Sequence, residues 1–377
     1  MLNATQRELL QLISARQGLS RSELALHSGL SKAAISGIIR DMLAAGLLSE
    51  AEAMAGNGQG RPSVKLTLRA EAAYFVGISL IAAPASMVLI NLSGEIISHC
   101  EFPLNNSPQQ LVSDIQYSLP RLLERAAISP QQVLGLGVTL SGFIDEHQAS
   151  CVQSALLGWR NVPLAQLIQQ ATGIDVFIEN DAKALAVSEK LFGHARTLQN
   201  FILLSHGDGI GSASFIHGAL YRGAHGGAGE IAHCTIEPGG APCRCGKRGC
   251  LDTIASLIAL KEQARNQQLN IATLPELERL AINGSTAALD IVHRAGNALG
   301  LAIANLIQIN DPETVLIAHQ PGAFDGLLST VVRQALESHV LPGFAGKTPL
   351  IPFALADNSW AQAAASVAAH RFLIPLS

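Results

Sequence analysis

GEIAHCTIEPGGAPCRCGKRGC, residues 229–250, is the stretch that most constrains how this chain folds. It contains one imidazole and three thiols, at His233, Cys243, Cys245 and Cys250, which is a donor set that tetrahedral structural zinc prefers. Four protein ligands leave no position for a catalytic water, so the pattern predicts one structural zinc ion per chain. The glycines that let a short loop turn tightly enough to bring these ligands together are Gly239, Gly240, Gly246 and Gly249.

The cysteines fit a disulfide, or a set of unrelated core positions, less well than they fit a metal. A disulfide is expected mainly in secreted proteins, and the opening MLNATQRELLQLI lacks the basic start and cleavage site of a leader. Three cysteines within eight residues are also too dense for scattered core positions. The sequence leaves open whether His233 or Cys234 is the fourth metal ligand, because Cys234 directly follows His233.

The composition favours a large α/β protein with a distinct N-terminal part. At 377 residues the chain suits two or three domains, and 48% hydrophobic residues with 4% aromatics leave Ala, Leu and Ile to form the core. No apolar run is long enough to span a bilayer, so we expect a cytoplasmic protein. Residues 1–70 carry eight Lys or Arg and five acids, a net charge of +3, whereas the whole chain has −4. This asymmetry favours a nucleic-acid-binding module joined to another domain.

The basic N-terminal region has the pattern of a helix-turn-helix. Ser20 and Glu23 have the spacing of a capping box and open a helix that ends before Gly29, which permits a sharp turn. Ser31 caps the next helix, and Gly46 closes it. The residues predicted to form the buried stripe of this helix are Ala34, Ile35, Ile38, Ile39 and Leu43.

The exposed side of that helix carries the candidate DNA contacts. Lys32, Ser36 and Arg40 face outward and are predicted to enter a major groove. Two strands with a Gly-rich tip follow as a wing, and Arg61 in that tip is predicted to enter a minor groove. The alternative is a helical hairpin used only for dimerisation. The turn, the helix caps and the wing together favour DNA binding.

Beyond residue 70 the pattern alternates buried strands with helices, which predicts an α/β architecture in two lobes. The winged helix-turn-helix is assigned to 1–70. The first lobe is assigned to 71–194, completed by a C-terminal helix at about 359–377, and the second lobe with the zinc loop to 195–358. FILLSHGDGIGSASFI, residues 201–216, is interpreted as one apolar strand whose glycines allow a ligand to approach the backbone.

Taken together, these segments resemble the ROK family of repressors and sugar kinases, in particular its repressor branch. The resemblance covers essentially the full chain. It implies a winged helix-turn-helix followed by a two-lobed, actin-like and hexokinase-like domain that binds a sugar in its cleft. The segments that carry it are Gly60-Arg61-Pro62, Glu179-Asn180-Asp181, Gly207-Asp208-Gly209-Ile210-Gly211, Gly229-Glu230-Ile231-Ala232-His233 and Cys243-Arg244-Cys245-Gly246-Lys247-Arg248-Gly249-Cys250.

The resemblance implies which residues contact the sugar. Carboxylates and amides suit this task, because each can bond two neighbouring hydroxyl groups. His233 would bind zinc with one ring nitrogen and face the sugar with the other. The family has a glutamate where this chain has Asp252, whose side chain is one methylene shorter. The sugar contacts implied are Asn180, Asp181, Glu230, His233 and Asp252.

The resemblance also predicts that the chain is not an enzyme, and no catalytic residue is assigned. Kinases of the family begin the first lobe with Asp-x-Gly-Gly-Thr, which holds ATP phosphates and magnesium; the aligned stretch here is Ser79-Leu80-Ile81-Ala82-Ala83. Asp208 stands where kinases carry Thr, and Ala318-His319 replace a Gly-Gly pair beside the adenosine. Asp181, the family's general base, is present, but repressors can retain it for sugar binding.

The sequence therefore predicts a sugar-responsive transcriptional regulator, a repressor of carbohydrate uptake or catabolism genes that a sugar or sugar derivative releases from operator DNA. Two alternatives stay open: an active sugar kinase with a DNA-binding head, and a regulator sequestered by a sugar-transport protein. One winged helix makes few contacts, so we expect a homodimer or homotetramer that reads paired half-sites.

Overall fold

The structure is a computed structural model that describes residues 2–51 and 64–374. Within those ranges, no helix combines the length and the hydropathy needed to cross a bilayer. The helices are α1 (Ala4–Ala15), α2 (Arg21–Ser28), α3 (Lys32–Ala44), α4 (Pro108–Arg125), α5 (Leu164–Thr172), α6 (Asp181–Leu191), α7 (Asp252–Ala255), α8 (Leu257–Asn266), α9 (Leu274–Ile282), α10 (Thr286–Asn310), α11 (Leu327–His339) and α12 (Ser359–Leu373). The strands are β1 (Leu19–Ser20), β2 (Leu48–Ala51), β3 (Lys65–Leu68), β4 (Tyr74–Ser79), β5 (Ala85–Asn91), β6 (Ile96–Phe102), β7 (Val133–Leu140), β8 (Phe143–Ile144), β9 (Cys151–Ser154), β10 (Trp159–Val162), β11 (Val176–Asn180), β12 (Phe201–His206), β13 (Ile210–Ile216), β14 (Ala219–Tyr221), β15 (Thr314–His319) and β16 (Leu350–Ala354).

The chain divides into two compact units. The first consists of Met1–Thr197 together with Asn358–Ser377, and the second of Leu198–Asp357. The first unit holds the N-terminal head and the first lobe together. The predicted boundary at residue 70 and the predicted division at 194/195 therefore stay predictions.

The head has the helix-turn-helix layout, and its caps follow from local sequence. The Ser20 hydroxyl accepts from the Glu23 amide, while the Glu23 carboxylate accepts from the Ser20 amide at 2.8 Å. Gly29 adopts the left-handed conformation after α2, with φ of 70°. The Ser31 side chain accepts from the Ala34 amide and so caps α3.

The predicted buried stripe of α3 is partly wrong. Ile35, Ile39 and Met42 are fully buried, whereas Ala34 is exposed and two further predicted members, Ile38 and Leu43, are only half-buried. The buried three are spaced four and three residues apart, so they lie on one face of the helix. Ala34 points about 100° away from Ile35 in an α-helix and buries little apolar area.

A small antiparallel sheet completes the head. β3 pairs with β2 from Leu48↔Leu68 to Ala51↔Lys65, and on its other side with β1. The two predicted wing strands are thus present. The tip of the wing, including Arg61, lies outside the described residues.

The first lobe is built on a five-stranded sheet in the order β11-β7-β4-β5-β6. β4 and β5 form an antiparallel pair, while β7 and β11 run parallel to β4. On one face, Leu111 and Ile115 of α4 join the buried side chains of Val76 and Ile78 of β4. This order brings the carboxyl end of β11, where Asn180 lies, beside that of β7.

The opposite face of this sheet is covered by α12, which lies directly on β4 and β7. A Cβ at Gly77 would lie 2.8 Å from the Cβ of Ala365 and would collide with the Ala361 carbonyl. A Cβ at Gly137 would collide with the Ala364 carbonyl. The two glycines therefore set how closely the helix approaches the sheet.

The second unit contains a five-stranded sheet in the order β14-β13-β12-β15-β16, packed against a helical core that includes α10 and α11. The interpretation of residues 201–216 as one strand is wrong. β12 and β13 form an antiparallel pair from Phe201↔Phe215 to His206↔Ile210. The chain reverses at Gly207-Asp208-Gly209, because a Gly-Asp-Gly turn interrupts the apolar run.

The α12 contact generates a stability prediction. We expect Gly137→Ala to lower the free energy of unfolding by about 2 kcal/mol and the melting temperature by roughly 6 °C, since the added methyl forces the helix off the sheet. Gly343→Ala is the matched control, because nothing lies within 4 Å of a Cβ built there. Calorimetry of both variants checks the prediction; equal melting temperatures would contradict the close contact.

Candidate metal centre and ligand-binding residues

The structure brings His233, Cys243, Cys245 and Cys250 into one cluster. Their four ligand atoms all lie within 4.8 Å of one another, and Cys234 is not among them. Cys243 Sγ lies 3.5 Å from His233 Nδ1, and the Sγ atoms of Cys245 and Cys250 are 3.7 Å apart. Two sulfurs bonded to one tetrahedral zinc at about 2.3 Å are separated by roughly 3.8 Å. The spacing fits a metal site and is too long for a disulfide bond, which measures about 2.05 Å.

Backbone contacts within the loop hold these ligands in place. The amide of Cys243 donates to the carbonyl of Lys247 at 2.8 Å, and the amide of Gly246 donates to the carbonyl of Cys243 at 2.9 Å. Gly249 has φ of +68°, and a Cβ there would collide with the carbonyl of Glu237. The glycines of the motif thus perform the turning role that the sequence predicts.

An ion pair attaches the metal loop to the helical core of its own unit. Arg294 on α10 donates from Nε to Glu237 Oε1 at 2.7 Å, and its Nη2 also bonds Glu237 Oε2. This fork-like pairing lowers the pKa of the Glu237 carboxyl. The metal loop is therefore anchored from outside its own sequence.

Burial disfavours the thiolate form of two cysteines in the cluster. Burial raises the pKa of the Cys250 thiol to about 12, and burial likewise raises the pKa of the Cys243 thiol. A bound divalent cation stabilises thiolates strongly enough to remove those protons. The donor set and the spacing therefore both fit a thiolate-rich divalent metal.

Asn180 and Asp181 lie where β11 passes into α6. The Asn180 side chain caps α6 by accepting from the Lys183 amide at 3.3 Å, and its Nδ2 donates to the Gly142 carbonyl at 3.2 Å. Asp181 is half-buried in the first helical turn. Both side chains are accordingly positioned by the start of α6.

A buried pair behind Asn180 was missed by sequence reasoning. Glu179 is 2% exposed and accepts from Gln148 Nε2 at 2.8 Å and from the Asn180 amide at 3.0 Å. Gln148 is 1% exposed and lies 31 residues earlier in the chain. No local sequence pattern pairs two residues so far apart. Glu179 itself belongs to the motif Glu179-Asn180-Asp181.

The remaining predicted sugar contacts lie in the second unit. Glu230 is half-buried at the start of the 3-10 turn Ile231–His233, and His233 is half-buried as well. Asp252 is 8% exposed; its Oδ2 lies 3.4 Å from Arg244 Nη2, while its Oδ1 is buried without a hydrogen-bond partner among the described residues. Arg244 is a further residue that sequence reasoning did not select, although it stands between two of the cysteines.

The segments aligned with ATP loops include buried side chains. Ser79-Leu80-Ile81-Ala82-Ala83 joins β4 to β5, with Leu80 fully buried. His319 ends β15 at 2% exposure, with its ring 6.0 Å from that of Phe324. The neighbouring His206 is fully buried, and burial lowers its pKa to about 4. The uncharged imidazole therefore belongs to the core.

The candidate DNA contacts on α3 are exposed, as predicted. Lys32, Ser36 and Arg40 are all exposed. The Ser36 hydroxyl donates to the Lys32 carbonyl at 2.8 Å, and Arg40 lies 3.3 Å from Asp41, a solvent-exposed ion pair. Such pairs contribute little to stability, so Arg40 is available to a stronger anion.

Comparisons with known proteins match both parts of the chain. The ROK family model matches residues 75–371, and a model described as winged helix-turn-helix DNA-binding matches residues 2–49. The xylose repressor of Bacillus spizizenii is 29% identical over 372 residues, which cover 98% of this chain and 95% of that protein.

Two solved structures share the fold of this chain over different lengths. A ROK family transcriptional regulator, described as a homologue of the Escherichia coli MLC protein, aligns with a TM-score of 0.81 at 25% identity, covering 98% of this chain and 96% of that one. A ROK hexokinase from Thermus thermophilus aligns with a TM-score of 0.66 at 24% identity, covering 78% of this chain and 97% of that one. The regulator matches nearly the full length, whereas the kinase shares the fold over a smaller part.

Proposed function

Since the chain belongs to the ROK family, we propose that it is a sugar-responsive repressor that binds operator DNA through its N-terminal head. The observation that carries the proposal is the full-length match: the xylose repressor aligns over 98% of the chain, head and body together. The exposed cationic side of α3 supports it, because a helix-turn-helix reads DNA through the outer face of its last helix.

The DNA-binding proposal assigns a role to each exposed residue. Lys32 contacts phosphate, Arg40 bonds a guanine edge or phosphate, and Ser36 is small enough to let the helix enter the major groove. Arg61 reaches a minor groove from the wing. Paired heads of a homodimer or homotetramer supply the affinity that one head lacks.

The effector is a sugar or sugar derivative bound by Asn180, Asp181, Glu230, His233 and Asp252. The carboxylates accept hydrogen bonds from hydroxyl groups, and the amide of Asn180 can both donate and accept. The buried and unpartnered Oδ1 of Asp252 supports its inclusion, since an unsatisfied buried oxygen costs free energy until a donor reaches it. Arg244 holds the other oxygen and so sets the direction of this short side chain.

We assign structural zinc to the cluster of His233, Cys243, Cys245 and Cys250. When bound, the ion supplies a cross-link with no open coordination position. His233 Nδ1 faces Cys243, so this nitrogen is the metal ligand and Nε2 is left for the sugar. The residues of the loop orient His233 and hold Arg244 beside Asp252.

The residues in the segments aligned with ATP loops disfavour the alternative, an active kinase. Between β4 and β5 the chain has no carboxylate to hold magnesium, and Leu80 is buried there. Asp208 is exposed in the turn after β12, where its charge would repel a phosphate. The xylose repressor, which matches 98% of the chain, supports the same conclusion.

Metal content tests the zinc assignment. We expect purified protein to hold near one zinc per chain by elemental analysis, and Cys245→Ser to lose the metal and melt at a lower temperature, because three ligands bind zinc more weakly than four. Cys234→Ser is the control, since its side chain lies outside the cluster, and it should keep the metal. A wild-type protein that is folded and metal-free would contradict the assignment.

Operator binding and its release test the regulatory function. A DNA duplex selected with the wild-type protein should lose about tenfold in affinity for Arg40→Ala, because a base or phosphate contact disappears. Arg333→Ala, which removes an exposed arginine on α11, should bind the duplex normally.

The response to sugar is a separate test. Fluorescence anisotropy across a panel of pentoses and hexoses that includes xylose should find a sugar that releases the wild-type protein from the duplex. Glu230→Ala should bind the duplex normally, but that sugar should not release it. If the sugar releases Glu230→Ala from DNA as fully as the wild type, the proposed sugar contacts are not the sensor.

A coupled ATPase assay separates the repressor from the kinase. We expect no phosphorylation of the same sugar panel at typical enzyme rates, since the residues that hold magnesium and phosphate are replaced. Turnover on the order of 1 per second for any sugar would overturn the conclusion.

A further inference from the structure

The C-terminal helix of the ROK body ends against the first helix of the DNA-binding head. Arg7 Nη1 donates to the carbonyls of Phe372 at 2.6 Å and Arg371 at 3.3 Å, and Gln11 Nε2 donates to the carbonyl of Leu373 at 2.9 Å. The last carbonyls of a helix have no partner inside it, and a cation is favoured there by the helix dipole. Two side chains of α1 therefore cap α12.

The remainder of α12 is fixed to the first-lobe sheet. Gly77 and Gly137 place its backbone directly on β4 and β7, and the rings of Phe75 and Phe372 lie 5.8 Å apart. Close-packed contacts of this kind have little room for independent adjustment. We therefore expect the last turn of α12 to follow any displacement of the sheet.

The same helix touches both elements that present Asn180. The guanidinium of Arg371 lies 5.3 Å from the ring centroid of Phe177 on β11. Ser366 Oγ donates to Ser188 Oγ on α6 at 3.2 Å. Asn180 joins those two elements, because it ends β11 and caps α6.

We propose that α12 transmits changes at Asn180 to the DNA-binding head, with Arg7 and Gln11 as the positioning residues at the junction. The proposal rests on the proposed function and names the route by which the effector regulates DNA binding. A hydroxyl group bound by Asn180 alters the geometry of the amide that holds Gly142 and caps α6. α12 is packed on both elements, so it shifts with them, and the bonds to α1 reorient the head.

The covalent connector between head and body is a second route for such a signal. β3 leads to β4 through the 3-10 turn Ala70–Ala72, where the Leu92 amide donates to the Ala70 carbonyl at 2.9 Å. A signal carried by this connector alone would not depend on Arg7. The two routes are therefore separable by substitution on α1.

Hydrogen exchange of the full-length protein, without DNA or sugar, tests the route. We expect Asn180→Ala to raise the exchange rate of the α1 backbone amides by about fivefold, a typical coupling between distant sites. In an Arg7→Ala background the same substitution should leave those rates within about twofold of Arg7→Ala alone, since the link is already broken. Arg16→Ala is the matched control: it removes an exposed arginine from the same end of the chain, and the fivefold response should persist.

Two outcomes overturn the proposal: α1 exchange that ignores Asn180→Ala, or a response that survives Arg7→Ala unchanged. If Asn180→Ala does not fold, Asn180→Ser keeps the acceptor that caps α6 and loses the amide donated to Gly142, and the same response is expected. This experiment uses neither operator nor sugar. Failure to bind DNA or sugar would defeat the proposed function, whereas a missing exchange response defeats only this route.

Discussion

The direct contact between α12 and the first-lobe sheet is the constraint on which the rest of the first unit depends. Two glycines, Gly77 and Gly137, leave no side chain between the helix and strands β4 and β7. The sheet carries Asn180 at the end of β11, and the end of α12 receives α1 of the head. One tightly packed layer thereby joins the DNA-binding element to part of the proposed effector site.

The metal cluster is the corresponding constraint in the second unit. A loop of turns and glycines has little apolar surface, so in our proposal a metal cross-link through the four clustered side chains takes the place of a core. The Arg294–Glu237 pair then fixes that loop to α10. His233 lies in this loop and Asp252 follows it closely, so an ion bound by the cluster would hold two of the proposed sugar contacts in place.

The same frame fits our proposal of a regulator that does not bind phosphate. A kinase needs backbone open to phosphate and a carboxylate for magnesium, and this chain has the buried Leu80 and His319 in the aligned segments. Recognition of hydroxyl groups needs only carboxylates and amides, which this chain has at the proposed contacts Asn180, Asp181 and Glu230. A chain that does not bind phosphate can thus still bind a sugar, because different side chains perform the two tasks.

The sequence by itself determined the features that depend on neighbouring residues. The caps at Ser20 and Ser31 and the donor set of the metal cluster are of this kind, because each depends on types and spacings within a few residues. Two local predictions are wrong: Ala34 is exposed and not in the buried stripe of α3, and residues 201–216 form a hairpin and not one strand. Tertiary structure alone decided the contacts between residues far apart in the chain, since side-chain geometry across a fold leaves no periodic trace in sequence. These contacts are Gln148 with Glu179, Arg244 with Asp252, and Arg7 with the last turn of α12.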